Sequence, residues 1–131
     1  MSMSIEVGWD TPEQTIIHMR FLRGWTWDDV RAAVQQVDDY LVATPHTVHL
    51  LLDIREAGGL PRDFSGVIGE LLKQGEARSN EGRRVVVGAN FMLRTVFSSV
   101  QSLYGRQLKD RAFQFADTPE QAHKLLLGSN R

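Results

Sequence analysis

Cysteine is absent from the 131 residues, which excludes disulfides, thiolate catalysis and cysteine-ligated zinc or iron–sulfur centres. Nothing in the chain calls for an oxidising compartment, and the reducing cytoplasm is the expected location. Long apolar runs are missing as well. No stretch approaches the roughly 18 residues needed to cross a bilayer, and the amino terminus MSMSIEVGWD has no basic segment leading into an apolar one, so an untargeted soluble chain is expected. An excess of one charge is also lacking, with 15 Lys+Arg against 16 Asp+Glu and a net charge of −1. No dense basic tract interleaved with aromatics is present, and no nucleic-acid partner is expected. The histidines at 18, 46, 49 and 123 form neither an i, i+4 helical pair nor a set with a carboxylate, so no metal is expected and the rings read as structural or exposed. REAGGLPRD lacks the spacing and lysine of a phosphate-cradling loop, and VVVGAN falls short of a dinucleotide fingerprint. No cofactor is expected.

What is present is enough apolar residue, 42% of the chain, for one core and one domain over 1–131. SIEVGWD and TIIHMRFLRG read as strands joined by a TPEQ turn, which makes an antiparallel hairpin with its first strand at a sheet edge. Thr26 caps a helix, with Asp29 reaching back to it and Trp25 and Val30 as a hydrophobic staple. The stripe Trp27, Val30, Val34, Val37 and Leu41 carries this helix to near Pro45. TVHLLLDI is a nearly continuous apolar run, as in a central strand covered on both faces. The spacing predicts a further helix from about Phe64 to Ala77, capped by Asp63, with Val67, Ile68, Leu71 and Leu72 inward and Gly66 and Gly69 permitting close packing. RRVVVGA is the next strand, and a helix from Asn90 through Leu93 and Val100 ends near Gly105. AFQF is the last strand. In the final helix Thr118 caps, Pro119 takes the first position, Gln121 completes a capping box and Ala122, Leu125 and Leu126 face inward. The pentapeptide DTPEQ occurs at 10–14 and 117–121, and the residues that follow send the first copy into a hairpin and the second into a helix. The order is ββαβαβαβα, an α/β fold whose mixed, mainly parallel sheet has five strands and four helices.

That order, with RFLRGWTWDDV opening a capped helix, VHLLLDI ending in Asp53, RDFSGVIGEL opening the 64–77 helix and FQFADTPEQAHKLL closing the chain, resembles the STAS (sulfate transporter and anti-sigma-factor antagonist) superfamily over nearly its whole length. The narrower likeness is to its SpoIIAA-like bacterial members. The resemblance implies a regulatory module acting through protein contact, in which a serine after an aspartate at a helix start accepts a phosphate from a partner kinase. Here Asp63, Ser65 and Gly66 match that turn, Phe64 stands where the acceptor hydroxyl falls, and the loop between the two aspartates is about two residues longer. Ser65 is the phosphorylation candidate, because a helix amino terminus suits a phosphate.

The expected partner surface therefore comprises Asp53, Arg55, Glu56, Arg62, Asp63, Phe64, Ser65 and Gly66. A hydrolase triad of His49, Asp53 and Ser65 is disfavoured, since His49 lies four residues before Asp53 inside the strand and no Gly-x-Ser-x-Gly elbow is present. Enzyme activity is not expected. Residues 1–72 hold eleven acids and five bases, residues 73–111 eight bases and three acids. This asymmetry could attract an anionic partner or a second copy of the chain, but spread-out solvating charge is the favoured reading. Phe91, Met92, Val96, Phe97 and Tyr104 of the helix from Asn90 spread beyond the arc one sheet can cover, and Leu72 of the preceding helix lies beside them. They pack internally, form a homodimer face or line a cleft for a hydrophobic, lipid-like ligand.

Overall fold

A computed structural model of the chain describes residues 4–10, 12–58, 80–103 and 113–127. The strands are β1 (Ile5–Trp9), β2 (Ile16–Leu22), β3 (Val48–Glu56), β4 (Glu81–Val87) and β5 (Phe113–Ala116). The helices are α1 (Trp27–Val42), α2 (Phe91–Leu103) and α3 (Pro119–Leu126). The five strands form one sheet in the order β1-β2-β3-β4-β5. β1 pairs antiparallel to β2, and all other pairings are parallel. The fold is thus α/β with a mixed, mainly parallel sheet, the hairpin leads the chain and β3 is central. The fourth helix expected over 64–77 lies outside the described residues.

Alternation along the strands sorts side chains onto two faces. On one, Ile5, Ile17, Met19, Phe21, Val48 and Leu50 meet Val30, Ala33, Val37 and Leu41 of α1, and Val86 meets Ala89, in the turn before α2, and Leu93 of α2 beside Leu52 and Phe115. On the other, Ile16, Leu51, Val85, Val87 and Ala116 meet Ala122 and Leu126 of α3. β2, β3, β4 and β5 advance in one direction across the sheet, and crossovers of one hand then put α1 and α2 on the same side. α3, after β5, covers the reverse face. No helix among the described residues is long and apolar enough to cross a membrane.

Local capping follows the expected chemistry, with two differences. Thr26 accepts from the Asp29 amide while the Asp29 carboxylate accepts from the Thr26 amide, a complete capping box. In α3 the Gln121 amide donates to Thr118, but the Gln121 side chain accepts from the Asp117 amide, one residue before the cap. In α1 the buried stripe is Val30, Ala33, Val37 and Leu41, and Val34 is 48% exposed. A fully buried Ala33 lets the helix backbone approach the sheet closely and rolls Val34 toward its flank.

At the amino-terminal edge of β4 the backbone approaches a side chain so closely that only glycine fits. The Arg83 amide donates to His49 Nδ1 at 2.9 Å, and a Cβ built on Gly82 would lie 2.3 Å from the same nitrogen. Gly82→Ala is expected to cost about 1–3 kcal/mol of unfolding free energy. Urea denaturation of Gly82→Ala with and without His49→Ala checks this: removing the ring should recover most of the loss, and equal losses in both backgrounds would refute the packing cause.

Candidate functional site

The reverse face changes character toward the hairpin. There β1 contributes Glu6 and Gly8, Asp10 follows directly after it, β2 contributes His18 and Arg20, and the carboxyl end of β3 contributes Asp53, Arg55 and Glu56. Register assembles them: Gly8 lies opposite His18, Glu6 opposite Arg20, and Arg20 opposite Asp53.

Asp53 is the buried charged residue among those described, 3% exposed. Its Oδ1 accepts from the Arg55 amide at 3.1 Å and Arg55 Nε at 2.9 Å, and its Oδ2 accepts from Arg55 Nη2 at 2.7 Å. Burial alone pushes this carboxyl up. The Arg55 hydrogen bonds outweigh burial, and with the charges of Arg55 and His18 they hold it below the usual carboxylate range. Arg55 can fold back this way because Gly88, just past β4, leaves its path clear. Gly88 has φ +91°, and a Cβ there would lie 2.5 Å from Arg55 Cγ and 3.1 Å from Arg55 Cα. Beside this pair, Arg20 donates to both oxygens of Glu56 at 2.9 and 3.0 Å and reaches Glu6 at 3.4 Å.

Deeper along the same face, His18 stands between two carboxylates. Its Nδ1 is 3.4 Å from Asp10 Oδ1 and its Nε2 is 3.5 Å from Asp53 Oδ2. The other Asp10 oxygen is 2.5 Å from His123 Nε2 on α3. His123, Asp10, His18, Asp53 and Arg55 therefore form one continuous array across β1, β2, β3 and α3.

Of the residues expected from sequence, Asp53, Arg55 and Glu56 do gather at the carboxyl edge of β3. Arg62, Asp63, Phe64, Ser65, Gly66, Leu72 and Tyr104 lie outside the described residues, as do the side chains of Met92, Val96 and Phe97 on α2. Phe91, at the start of α2, is 85% exposed. His49 is remote from Asp53 and keeps its Nδ1 on the Arg83 amide. Burial, then the Arg83 charge, holds His49 below the ordinary imidazole value. The imidazole that meets Asp53 is His18, and His18 and His123, far apart in the chain, share Asp10. Period-two alternation in TIIHMRFL already put His18 and Arg20 on one face, a usable signal. Nothing in the sequence linked either to Asp10 or to His123. Among the described residues no three His, Asp or Glu side chains are grouped to hold a metal ion.

No protein-family model, no characterised protein and no solved structure matches the chain.

Proposed function

We propose that the chain is a non-enzymatic cytoplasmic binding or regulatory module that meets a protein partner through the carboxyl edge of β3 and the segment that follows, residues 53–66. The observation that carries this reading is the charge platform at that edge. Arg20, Arg55 and Glu56 have side chains 42%, 47% and 58% exposed, yet each is held by a partner: Arg20 grips Glu56 in a fork, and Arg55 grips the buried Asp53. Charges fixed in place and open to solvent give orientation and partner discrimination at little ordering cost. Asp53 has both oxygens engaged by Arg55, which suits an anchor better than a general base. The SpoIIAA-like, STAS-type order of elements supports the same reading, with Ser65 as its phosphate acceptor.

The test is a partner captured from the native host, purified and titrated calorimetrically. Arg20→Glu and Glu56→Lys should each weaken binding about tenfold or more, as reversal of a fixed interfacial charge does. Asp28→Lys, at a side chain 96% exposed in the first turn of α1, should leave it unchanged. Equal affinity across all three variants would refute the surface. If the partner is a second copy, the same reversals should shift the sedimentation profile.

A second reading has one observation of its own. The 85% exposure of Phe91 leaves a large apolar group free at the start of α2, as a carrier of a hydrophobic ligand or a homodimer face would. Native mass spectrometry of freshly purified protein should then show a bound lipid-sized mass or a dimer, and a bare monomer would remove this reading.

A further inference from the structure

The imidazole of His18 has an acceptor oxygen at each nitrogen and, when neutral, only one proton to give. Its Nε2 is buried without a hydrogen-bond partner, although Asp53 Oδ2 is 3.5 Å away. The array around it is also out of charge balance. Asp53 is paired with the Arg55 guanidinium and lies within the field of Arg20, whereas the Asp10 carboxylate is met among the described residues by two imidazoles, His18 and His123, which balance its charge only when one of them is doubly protonated. A single proton on Nε2 would satisfy the orphaned atom and balance the array together.

We propose that His18 is a proton-operated latch on Arg55: when its ring is doubly protonated it bridges Asp10 and Asp53, and the Arg55 guanidinium lets go of Asp53 Oδ2. The same oxygen is contested, since Arg55 Nη2 reaches it at 2.7 Å and His18 Nε2 at 3.5 Å. Two cations at one buried carboxylate repel each other, and the freer one yields. His18 is fixed on a strand between two neighbours, whereas Arg55 is 47% exposed on a long flexible stem. Arg55 also has acidic neighbours to turn toward in Glu56 and Glu120. The charged groups facing the array from each element are Glu6 and Asp10 at β1, Arg20 on β2, Asp53, Arg55 and Glu56 on β3, and Glu120 and His123 on α3. A second proton on His18 thus loosens the Arg55 clamp, leaving Nη2 to turn toward Glu56, Glu120 or an acidic group bound at the carboxyl edge. By linkage, an acidic group that binds Arg55 would draw a proton onto His18. The inference concerns the state of Arg55 itself and holds whatever that edge binds.

Nuclear magnetic resonance on the intact chain tests it. Long-range 1H–15N spectra should show the neutral His18 ring protonated at Nδ1 with Nε2 bare, and an Nε2–H tautomer would overturn the proposal. Between about pH 8 and pH 5, where an imidazole changes charge, the Arg55 Nε and amide resonances should move together with the His18 ring. In His18→Gln, or in His18→Asn should the first variant not fold, that movement should vanish, and in His123→Gln it should persist. An Arg55 signal that stays still in the wild type, or that still moves without His18, sinks the latch. Because no partner enters the measurement, its outcome is separate from that of the binding reading.

Discussion

Replacing Arg55 with leucine is expected to destabilise the protein at neutral pH by about 3 kcal/mol, the scale for stripping a buried charge of its partner. The reason lies in Asp53. It is 3% exposed, and in the variant it would keep a full negative charge with its main donors gone. Half the Arg55 side chain is solvated, which places the cost at the lower end of the range for fully buried pairs. The pH dependence separates this cause from simple loss of packing. In the wild type the Asp53 carboxyl is held low by Arg55, so its contribution is present above about pH 4 and is lost as the pH falls through its folded value. His49, also held low, acts in the same direction, and its contribution starts to fade below about pH 6.5. In Arg55→Leu, burial acts on Asp53 with little to oppose it and favours the neutral carboxyl. The sign of the Asp53 contribution therefore inverts. Urea midpoints should show the gap between wild type and variant widest at about pH 7.5 and narrowing below about pH 4. A gap independent of pH would mean that Asp53 is not the group responsible.

Gly88→Ala carries the second large effect, again about 3 kcal/mol or more, because two penalties fall on one methyl group. The residue holds φ +91°, which L side chains seldom adopt. The added Cβ would meet Arg55 at 2.5 Å on Cγ and 3.1 Å on Cα. Part of that clash is with a movable side chain and part with backbone. Truncating Arg55 to alanine in the Gly88→Ala background should relieve only the first part, so a double-mutant cycle on denaturation free energies should show coupling smaller than the whole loss. Complete additivity would mean that the cost is purely one of backbone conformation. The two predictions share a cause, since the clamp on Asp53 exists only where the chain beyond β4 has no side chain. Gly88 is therefore a positioning residue for the candidate site. From sequence it was only a lone glycine after a strand.

Much of the frame was readable in short windows. Thr26 with Asp29, Thr118 with Pro119, the alternation in IIHMRFL and the apolar density of VHLLL each report on neighbours within a few residues, and the backbone obeys them. Asp53, Arg55 and Glu56 are singled out through the resemblance carried by the order of motifs rather than by a local signal, and the carboxyl edge of a parallel strand is where such residues reach solvent. The roll of α1 was less legible. The spacing of large apolar residues favoured Val34, and the small Ala33 at closest approach to the sheet took its place.

The sequence by itself determined which of the described segments become strands and helices, that the first strand pairs antiparallel, and that acidic and basic groups collect at the end of β3. Only the tertiary structure decided that His18 rather than His49 faces Asp53, that Asp10 joins it to a histidine 113 residues away, and that Gly82 and Gly88 cannot carry a side chain. The division has one physical origin: caps, turns and alternation are settled by atoms a few bonds apart. Contacts across a sheet depend on register, twist and crossover hand, which arise only when all strands are paired at once.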